Sequence, residues 1–412
     1  MKQKNRKLPF MWILLCVFLL VGCGMYRPEA VSDETVEDTV DEATKETTEE
    51  VVGEVVNQEP AEEAKPKRLM ESNVYVEFMP AETLYYHSQL SEQEKRIYDQ
   101  VYQALTQRTE ETVDTLSVDV LDKIFICVLN DHPEIFYVSG YVYTSHSRGD
   151  ETVSLTIKGN YEYDEAECEK RIAAIEKEAK NILTGIPADA TDYDKIKHVF
   201  DKLVTQTEYV SGSADNQNIC SVFMGKQSTC QGYAKATQYL LNQVGVEATF
   251  VSGSVEDGSH AWNLVKADGD WYYLDTTWGD VDYQTIIDDQ AVDESVMAIN
   301  YDYFLISSDK LYKTHEPNRP VPLPDCIATS NNYYVHEGRY LTGVDAEVFH
   351  EIFDEAYANG ETTVQIQCAN DEVFEQVSKY LLEEQHIFDY VKAGNSVAYT
   401  DNPETDTFCF WL

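Results

Sequence analysis

The sequence predicts an α+β fold in which one helix packs against an antiparallel sheet. Apolar residues recur at helical spacing from Cys230 onward, and Gly245 ends the run. Downstream, two aromatic-rich runs with alternating patterns lie on either side of the dipeptide Asp268-Gly269. That dipeptide favours a tight turn between antiparallel strands. A helix followed by a hairpin indicates a mixed fold.

The predicted helix places the thiol of Cys230 at its N-terminus. The positive end of a helix dipole, together with a nearby imidazolium, favours the thiolate, which is the reactive form of cysteine. Ser228 and Thr229, just before it, are residue types that cap helices. Gly232 indicates a backbone packed closely against a neighbour, although an ordinary glycine is nearly as good an interpretation.

The predicted hairpin brings a histidine and an aspartate onto one face. If the turn is centred on the Asp-Gly dipeptide, His260 faces Thr277 and Asp275 faces Trp262. His260 and Asp275 are then diagonal neighbours, close enough for a carboxylate to reach an imidazole nitrogen. A loop of odd length would place them on opposite faces, and a bare sheet edge without chemistry is the other alternative.

Together, a thiol, an imidazole and a carboxylate are the groups that cysteine acyl transfer requires. Cys230 would be the nucleophile, His260 the general base and acid, and Asp275 the group that orients His260. Water would resolve the resulting thioester by hydrolysis, and an amine such as lysine would resolve it by crosslinking. One oxyanion donor would be the backbone N–H of Cys230, and Gln227 is the candidate for the second.

Longer motifs surround these residues. They are Gly225-Lys226, Cys230-Gln-Gly-Tyr-Ala-Lys235, Gly253, His260-Ala-Trp-Asn263, Gly269-Asp-Trp-Tyr272 and Asp275-Thr-Thr-Trp278. The motifs resemble the transglutaminase-like superfamily of papain-type folds, in its bacterial branch. The resemblance covers roughly residues 188–320, about a third of the chain, with His315 in the closing segment. It implies a papain-like catalytic domain whose catalytic residues are Cys230, His260 and Asp275.

The resemblance also implies an activity on amide bonds of extracellular peptides or proteins. Hydrolysis is slightly favoured over crosslinking, because bacterial members resemble peptidases at least as often. The alternatives are a protein-glutamine gamma-glutamyltransferase, or a non-catalytic module that binds peptides or cell-wall material. The binding module is the weaker alternative, because degenerate members usually lose one of the three residues and this chain keeps them all.

No cofactor and no metal ion is expected. A stretch of acidic residues invites a calcium interpretation, and eukaryotic members of the superfamily can require calcium. The residues are Asp280, Asp282, Asp288 and Asp289. Because the stretch lacks the alternating ligands and central glycine of an EF-hand loop, we interpret it as a solvated insertion.

Residues 1–23 resemble a bacterial lipoprotein signal peptide. Basic residues precede an apolar run from Phe10 to Val21, and the segment ends in Gly22-Cys23. Cys23 is the predicted lipidation site, and its acyl chains would hold the protein at the extracytoplasmic face of the cell membrane. An uncleaved anchor helix is the alternative, although the run is short for a membrane span.

Residues 24–66 are predicted to be a disordered tether. From Glu29 to about Ala64, acidic residues, threonine and valine dominate and aromatic residues are absent, so little apolar surface can be buried. The net charge of −43 is only partly due to this segment. Such a charge argues against nucleic acid as a partner.

Two further regions flank the central motifs. Residues 67–187 predict an accessory α+β region, with helices at 93–106, 121–129 and 164–183 and strands near 141–144 and 153–157. Residues 326–412 predict a small α/β domain of alternating strand-like and helix-like runs, at 333–341, 346–358, 363–368, 373–383 and 407–412.

The remaining cysteines show neither a disulfide framework nor a metal-ligand pair. Their spacing is wide, and we expect mostly free, buried thiols. They are Cys127, Cys168, Cys220, Cys326, Cys368 and Cys409.

Overall fold

The computed structural model describes residues 30–31, 84–148, 151–256, 258–280, 286–287, 290–291, 299–392 and 396–412. The predicted signal peptide with Cys23, most of the predicted tether, and Asp282, Asp288 and Asp289 lie outside these residues. Within the described part of the chain, none of the helices combines the length and the apolar character needed to cross a membrane.

The N-terminal region combines helices with a four-stranded sheet. Its elements are β1 (Ala30–Val31), α1 (Tyr85–Ser88), α2 (Glu92–Gln107), β2 (Glu111–Val113), α3 (Val118–Asp131), β3 (Val138–Arg148), β4 (Glu151–Tyr161) and α4 (Glu165–Leu183). The strand order is β1-β3-β4-β2, with β1 parallel to β3 and the other pairs antiparallel. Because β1 lies within the predicted tether, the prediction of disorder is wrong at Ala30–Val31. Helix α2 begins at Ser91, whose side chain forms a capping box with Glu94. The predicted helices and strands of this region are confirmed: α2 and α3 are slightly longer than expected, α4 begins one residue later, and β3 and β4 are each 11 residues long.

The central region is built around one helix and a second antiparallel sheet. Its elements are α5 (Asp192–Gln206), β5 (Glu208–Tyr209), a π-helical turn (Ser221–Gly225), β6 (Gln227–Ser228), α6 (Cys230–Gln243), β7 (Ala248–Val255), β8 (Gly258–Ala267), β9 (Asp270–Leu274), α7 (Thr276–Gly279), β10 (Ile286–Ile287), β11 (Gln290–Ala291), α8 (Ser308–Leu311) and β12 (Glu316–Pro317). The sheet has the order β12-β7-β8-β9. The predicted α+β fold, with a helix starting at Cys230 and a hairpin behind it, is confirmed.

The C-terminal region has its own sheet and its own core. Its elements are α9 (Tyr333–His336), β13 (Tyr340–Leu341), α10 (Ala346–Asn359), β14 (Thr363–Cys368), α11 (Asp371–Ser378), a π-helical turn (Lys379–Glu383), α12 (Ile387–Tyr390), β15 (Tyr399–Asn402) and β16 (Thr407–Trp411). The expected strand-like run at 333–341 is wrong over its first half. Asn332 accepts the backbone N–H of Tyr334 and starts a helix there, so only Tyr340–Leu341 pair in the sheet.

The central sheet separates two hydrophobic cores. On β8, Val265 faces one core, while Trp262 and Leu264 face the other. The first core holds the apolar faces of α4, α5 and α6. The second is shared with α2, α3 and β4 of the N-terminal region, through residues such as Val101 and Ile124. The N-terminal region therefore covers one face of the central sheet, and the predicted boundary between residues 187 and 188 stays a prediction.

Candidate active site

Cys230 is the first residue of α6 and is half-buried. The prediction that Ser228 or Thr229 caps this helix with its side chain is wrong. The hydroxyl of Thr229 donates to the carbonyl of Asn216 at 2.8 Å, and the hydroxyl of Ser228 lies 2.6 Å from that of Ser221. Because no side chain caps the helix, the positive end of its dipole remains directed at the thiol.

The loop before Cys230 is held against the first turn of α6 by close contact with Gly232. A Cβ at Gly232 would lie 2.0 Å from Oγ of Ser228 and 2.6 Å from Oγ of Ser221. The interpretation of Gly232 as a close-packing glycine is confirmed. Any side chain at this position would displace the segment that leads to the thiol.

His260 and Asp275 are in direct contact. Nε2 of His260 lies 2.6 Å from Oδ2 of Asp275, and both side chains are buried. The predicted register of the hairpin is confirmed by the pairing of Asn263 with Leu274. The expected pairings of His260 with Thr277 and of Trp262 with Asp275 are wrong, because β9 ends at Leu274.

Asp275 also serves as the N-cap of α7. Its Oδ1 accepts the backbone N–H groups of Thr277, at 2.9 Å, and Trp278, at 3.2 Å. These bonds end the strand and leave Oδ2 for His260. The carboxylate is therefore fixed by the backbone on one side and by the imidazole on the other.

The electrostatics of this pair favour an imidazolium beside a carboxylate. Burial alone would lower the pKa of His260, but the charge and hydrogen bond of Asp275, together with a hydrogen bond to Cys230, raise it to about 10. Burial acts to raise the pKa of Asp275, yet the two histidines near it hold that pKa well below its usual range. Since Nε2 of His260 binds Asp275, its other ring nitrogen is left for the thiol of Cys230.

The second histidine is His315, a site residue that the sequence analysis placed only in a closing segment. Its Nε2 lies 3.2 Å from Oδ2 of Asp275, and its Nδ1 lies 2.7 Å from Oγ1 of Thr314. Burial lowers its pKa, so the ring is neutral near pH 7. A neutral ring facing a carboxylate carries its proton on Nε2 and accepts the hydroxyl proton of Thr314 on Nδ1. No local pattern marks His315, because the contact joins residues 40 positions apart.

Aromatic side chains enclose the two histidines. The ring of His260 stacks on Trp262 at a centroid distance of 5.9 Å, and Trp278 lies 5.5 Å away on another side. Trp278 in turn packs edge-on against Tyr303 at 4.7 Å. This surround keeps water from the imidazoles and strengthens their interaction with Asp275.

His260, Asp275 and His315 are also residue types that ligate metal ions, and their ligand atoms lie within 4.8 Å of one another. Coordination by Nε2 of both histidines would break the hydrogen bonds of 2.6 and 3.2 Å that they make to Asp275. The other oxygen of Asp275 already accepts two backbone N–H groups. These contacts fit a hydrogen-bonded positioning network better than a metal site.

Gln227, the predicted second oxyanion donor, lies exposed on β6. Its amide nitrogen donates to Oε2 of Glu208 on the neighbouring strand at 2.9 Å. The side chain is thus directed along the β5–β6 pair, and its oxyanion role stays a prediction.

The other cysteines within the described residues are free and buried. The expectation of mostly free thiols is therefore confirmed for Cys127, Cys168, Cys220, Cys326, Cys368 and Cys409. Burial raises the pKa of Cys220 to about 11 despite a hydrogen bond to Arg171, so this thiol stays protonated near neutral pH. Cys230, only half-buried, differs from all of them.

A comparison with protein families matches part of the central region. A family model described as the transglutaminase-like superfamily matches residues 180–276. These residues are a transglutaminase-like domain. The match contains Cys230, His260 and Asp275, whereas His315 lies beyond its end. No curated protein sequence matches the chain.

Solved structures similar to this chain cover only part of it. A TGase is 12% identical with a TM-score of 0.26, and the match covers 39% of this chain and 56% of that chain. A candidate cysteine protease from Cytophaga hutchinsonii is 12% identical with a TM-score of 0.22, covering 34% and 66%. The periplasmic domain of TgpA from Pseudomonas aeruginosa is 14% identical with a TM-score of 0.20, covering 31% and 55%. TM-scores below 0.5 are too low to support a conclusion about this chain.

Proposed function

We propose that this protein is a cysteine-dependent enzyme that acts on amide bonds of extracellular peptides or proteins through a thioester, with hydrolysis as its main outcome. The observation that carries the proposal is the thiol of Cys230 at an uncapped helix N-terminus, hydrogen-bonded to an imidazole whose pKa is raised to about 10. A raised histidine pKa beside a thiol supports an ion pair in which sulfur is the nucleophile.

In the first half of the reaction, the thiolate of Cys230 attacks the amide carbonyl carbon and forms the C–S bond. The oxyanion is stabilised by backbone N–H groups at the start of α6, with the helix dipole behind them. The C–N bond then breaks as the imidazolium of His260 gives its proton to the leaving amine. A thioester and a neutral His260 remain.

In the second half, His260 takes a proton from water, which attacks the thioester. The C–S bond breaks, and the acid product leaves with His260 and Cys230 again as an ion pair. Asp275 remains ionised throughout and keeps the imidazole in one orientation, since its two oxygens are held by α7 and by the histidines.

Amine transfer is the second candidate, favoured by charge. The chain has 74 acidic and 31 basic residues, a surplus that attracts lysine-bearing partners to its surface. A lysine amine in place of water would convert hydrolysis into crosslinking by the same thioester. If no thioester forms, we expect the domain to be a non-catalytic module that binds peptides or cell-wall material.

The test uses residues 24–412 of the chain beside Cys230→Ala. Both are incubated with a mixed peptide library and a fluorescent amine, and products are identified by mass spectrometry. Cleaved peptides that disappear with Cys230→Ala, with turnover falling at least ~1,000-fold, support hydrolysis. Amine-labelled glutamine side chains support amine transfer instead.

Cys220→Ala is the matched control, because Cys220 is a buried thiol ten residues upstream. Cys220→Ala is expected to form the same products as the wild type, at a similar rate. If neither product forms and Cys230 also resists alkylation near neutral pH, the catalytic proposal is wrong and the binding module is the better account.

We also propose that a lipid on Cys23 anchors the protein at the extracytoplasmic face of the cell membrane. It rests on the basic, apolar and Gly22-Cys23 pattern at the start of the sequence. Labelling of cells with an alkyne fatty acid is expected to mark the full chain, and Cys23→Ser is expected to remove the label. Labelling that survives Cys23→Ser would contradict the anchor.

A further inference from the structure

Lys235 is a half-buried cation of α6 that has no acidic partner among the described residues. Its ammonium lies 5.6 Å from the centroid of the Phe250 ring, which is the contact it makes. Burial lowers the pKa of Lys235 to about 8. Lys158 and Lys180 also have no acidic partner among the described residues, but they are exposed to water, where an unpaired charge costs little.

The ammonium lies on the same apolar cluster as the candidate nucleophile. Phe250 packs with Ala234 and Ala261, and Cys230 packs against that cluster. Along α6, Lys235 lies about 7.5 Å beyond Cys230, at 1.5 Å per residue. Five residues also rotate the side chain by about 140° around α6, so the two groups do not share a helix face. Because the ammonium and the thiol both contact the cluster of Phe250, their separation is on the order of 10 Å.

An unpaired and partly desolvated charge opposes folding, whereas an apolar side chain of the same length would lie over Phe250 without that cost. Lys266 shows how a lysine beside an aromatic ring is paired elsewhere in this protein. Lys266 also lies over an aromatic ring, that of Trp271 at 5.3 Å, but it pairs with Glu247 at 3.3 Å. Lys235 has the ring without the carboxylate, as expected if the carboxylate comes from a ligand.

We propose that Lys235 is the anchor of a subsite that binds a carboxylate of the acyl-donor peptide beside the thiol of Cys230. The inference rests on the proposed function and adds a substrate class to it. A separation on the order of 10 Å corresponds to about three residues of extended chain. The carboxylate is then either the C-terminus of a short peptide or an acidic side chain within about three residues of the amide.

The first test needs no substrate. Cys230 is alkylated at pH 6.5 with iodoacetate, which is anionic, and with iodoacetamide, which is neutral, and the ratio of the two rates is compared between variants. Attraction across about 10 Å at an effective dielectric constant of about 40, between the values for a protein surface and for bulk water, predicts that Lys235→Met lowers the ratio about fourfold. Lys235→Arg, which keeps the charge, is expected to restore most of it.

Lys266→Met is the matched control and is expected to leave the ratio unchanged, since residue 266 lies six positions along β8 from His260, about 20 Å away. Iodoacetamide reports whether Cys230 itself is intact in each variant. Lys235→Gln is measured in parallel, so that a folding defect of one substitution does not decide the outcome. An unchanged ratio in folded Lys235→Met or Lys235→Gln overturns the subsite.

The second test separates the two sources of the carboxylate. Peptides with a free C-terminus, peptides with an amidated C-terminus and an internal glutamate, and fully uncharged analogues are compared for protection of Cys230 from iodoacetamide. One of the acidic sets is expected to protect about fourfold better than the uncharged set, and Lys235→Met is expected to remove that difference. Equal protection by all three sets overturns the subsite.

Protection does not require turnover, so the two proposals fail separately. If protection depends on Lys235 but no peptide is cleaved and no amine is incorporated, the subsite stands and the proposed reaction is wrong. If peptides are cleaved without regard to their carboxylates, the reaction stands and the subsite is wrong.

Discussion

At the scale of single residues, the site depends on how fully Asp275 is bound. One oxygen accepts two backbone N–H groups of α7, and the other meets the rings of His260 and His315. A carboxylate held in this way cannot rotate, so the ring of His260 keeps one orientation relative to Cys230. His315 is therefore a positioning residue: it touches Asp275 and acts through it.

His315→Leu removes the donor from Asp275 and is expected to lower kcat/KM about tenfold, which corresponds to ~1.4 kcal/mol for one hydrogen bond to a charged group. His315→Gln keeps an N–H donor and is expected to recover part of that loss. The readouts are kcat/KM on a cleaved peptide and the pH profile of Cys230 alkylation. Equal losses in both variants with an unchanged pH profile would show a purely structural role.

The His260 pKa gives a pH dependence of stability. Because the pKa of the folded state is raised from an ordinary value near 6.5 to about 10, the contribution of His260 is complete below about pH 6.5 and is lost as pH rises through about 10. The free energy of unfolding, measured with urea from pH 6 to 10.5, is expected to fall for the wild type over that range. His260→Gln is expected to show a flatter curve, and parallel curves would contradict the assignment.

The helix that begins at Cys230 and the contact between His260 and Asp275 could be predicted because local rules decide them. An Asp-Gly turn fixes a two-residue hairpin loop, and the loop fixes which side chains share a face. His315 could not be predicted in this way, since its place depends on how α8 and the segment after it return to the sheet. The predicted side-chain caps are wrong because the hydroxyls of Ser228 and Thr229 bind loop groups rather than the first turn of α6.

At the scale of elements, α6 and the loop before it form one packed unit around Gly232. Gly232→Ala is expected to destabilise the protein by about 1–3 kcal/mol and to reduce activity further than stability alone explains. The added methyl would meet the hydroxyls of Ser228 and Ser221 and shift Cys230 relative to His260. The measurements are urea unfolding and the iodoacetamide rate at Cys230.

Gly225→Ala is the matched control for this substitution. Gly225 lies in the π-helical turn of the same loop, and a Cβ there meets nothing within 4 Å. Its stability and its alkylation rate are expected to stay near those of the wild type. A comparable loss at both glycines would mean that the loop tolerates no side chain anywhere, and the close contact at Gly232 would not be the cause.

At the scale of the whole molecule, the C-terminal region is joined to the site through Asp302. This buried carboxylate accepts hydrogen bonds from Tyr334, at 2.7 Å, and from three side chains of the C-terminal region. These are Asn402, Thr405 and Thr407. The carbonyl of the next residue, Tyr303, accepts the backbone N–H of Asp275 at 3.0 Å. The link is short enough for the C-terminal sheet to influence the position of Asp275.

Asp302→Ala removes the acceptor of four hydrogen bonds, three of them from the buried side chains of Tyr334, Thr405 and Thr407, and is expected to cost about 3 kcal/mol in the free energy of unfolding. Cleavage between the central and C-terminal regions by a low dose of protease is expected to become faster. Asp309→Ala, at an exposed position of α8, is the control and is expected to stay within about 0.5 kcal/mol of the wild type. Equal stability of both variants would show that Asp302 does not hold the regions together.

The two cores on either side of the central sheet have a practical consequence for protein engineering. A fragment limited to residues 180–276 would expose Val251, Trp262, Leu264 and Tyr273, which pack against the N-terminal region and against residues 303–326. Such a fragment would have a large exposed apolar surface and is expected to aggregate when it is expressed alone. A transfer of this site into another scaffold therefore requires residues 84–161 and 299–326 as well, because the segment that matches the family model is smaller than the unit that folds.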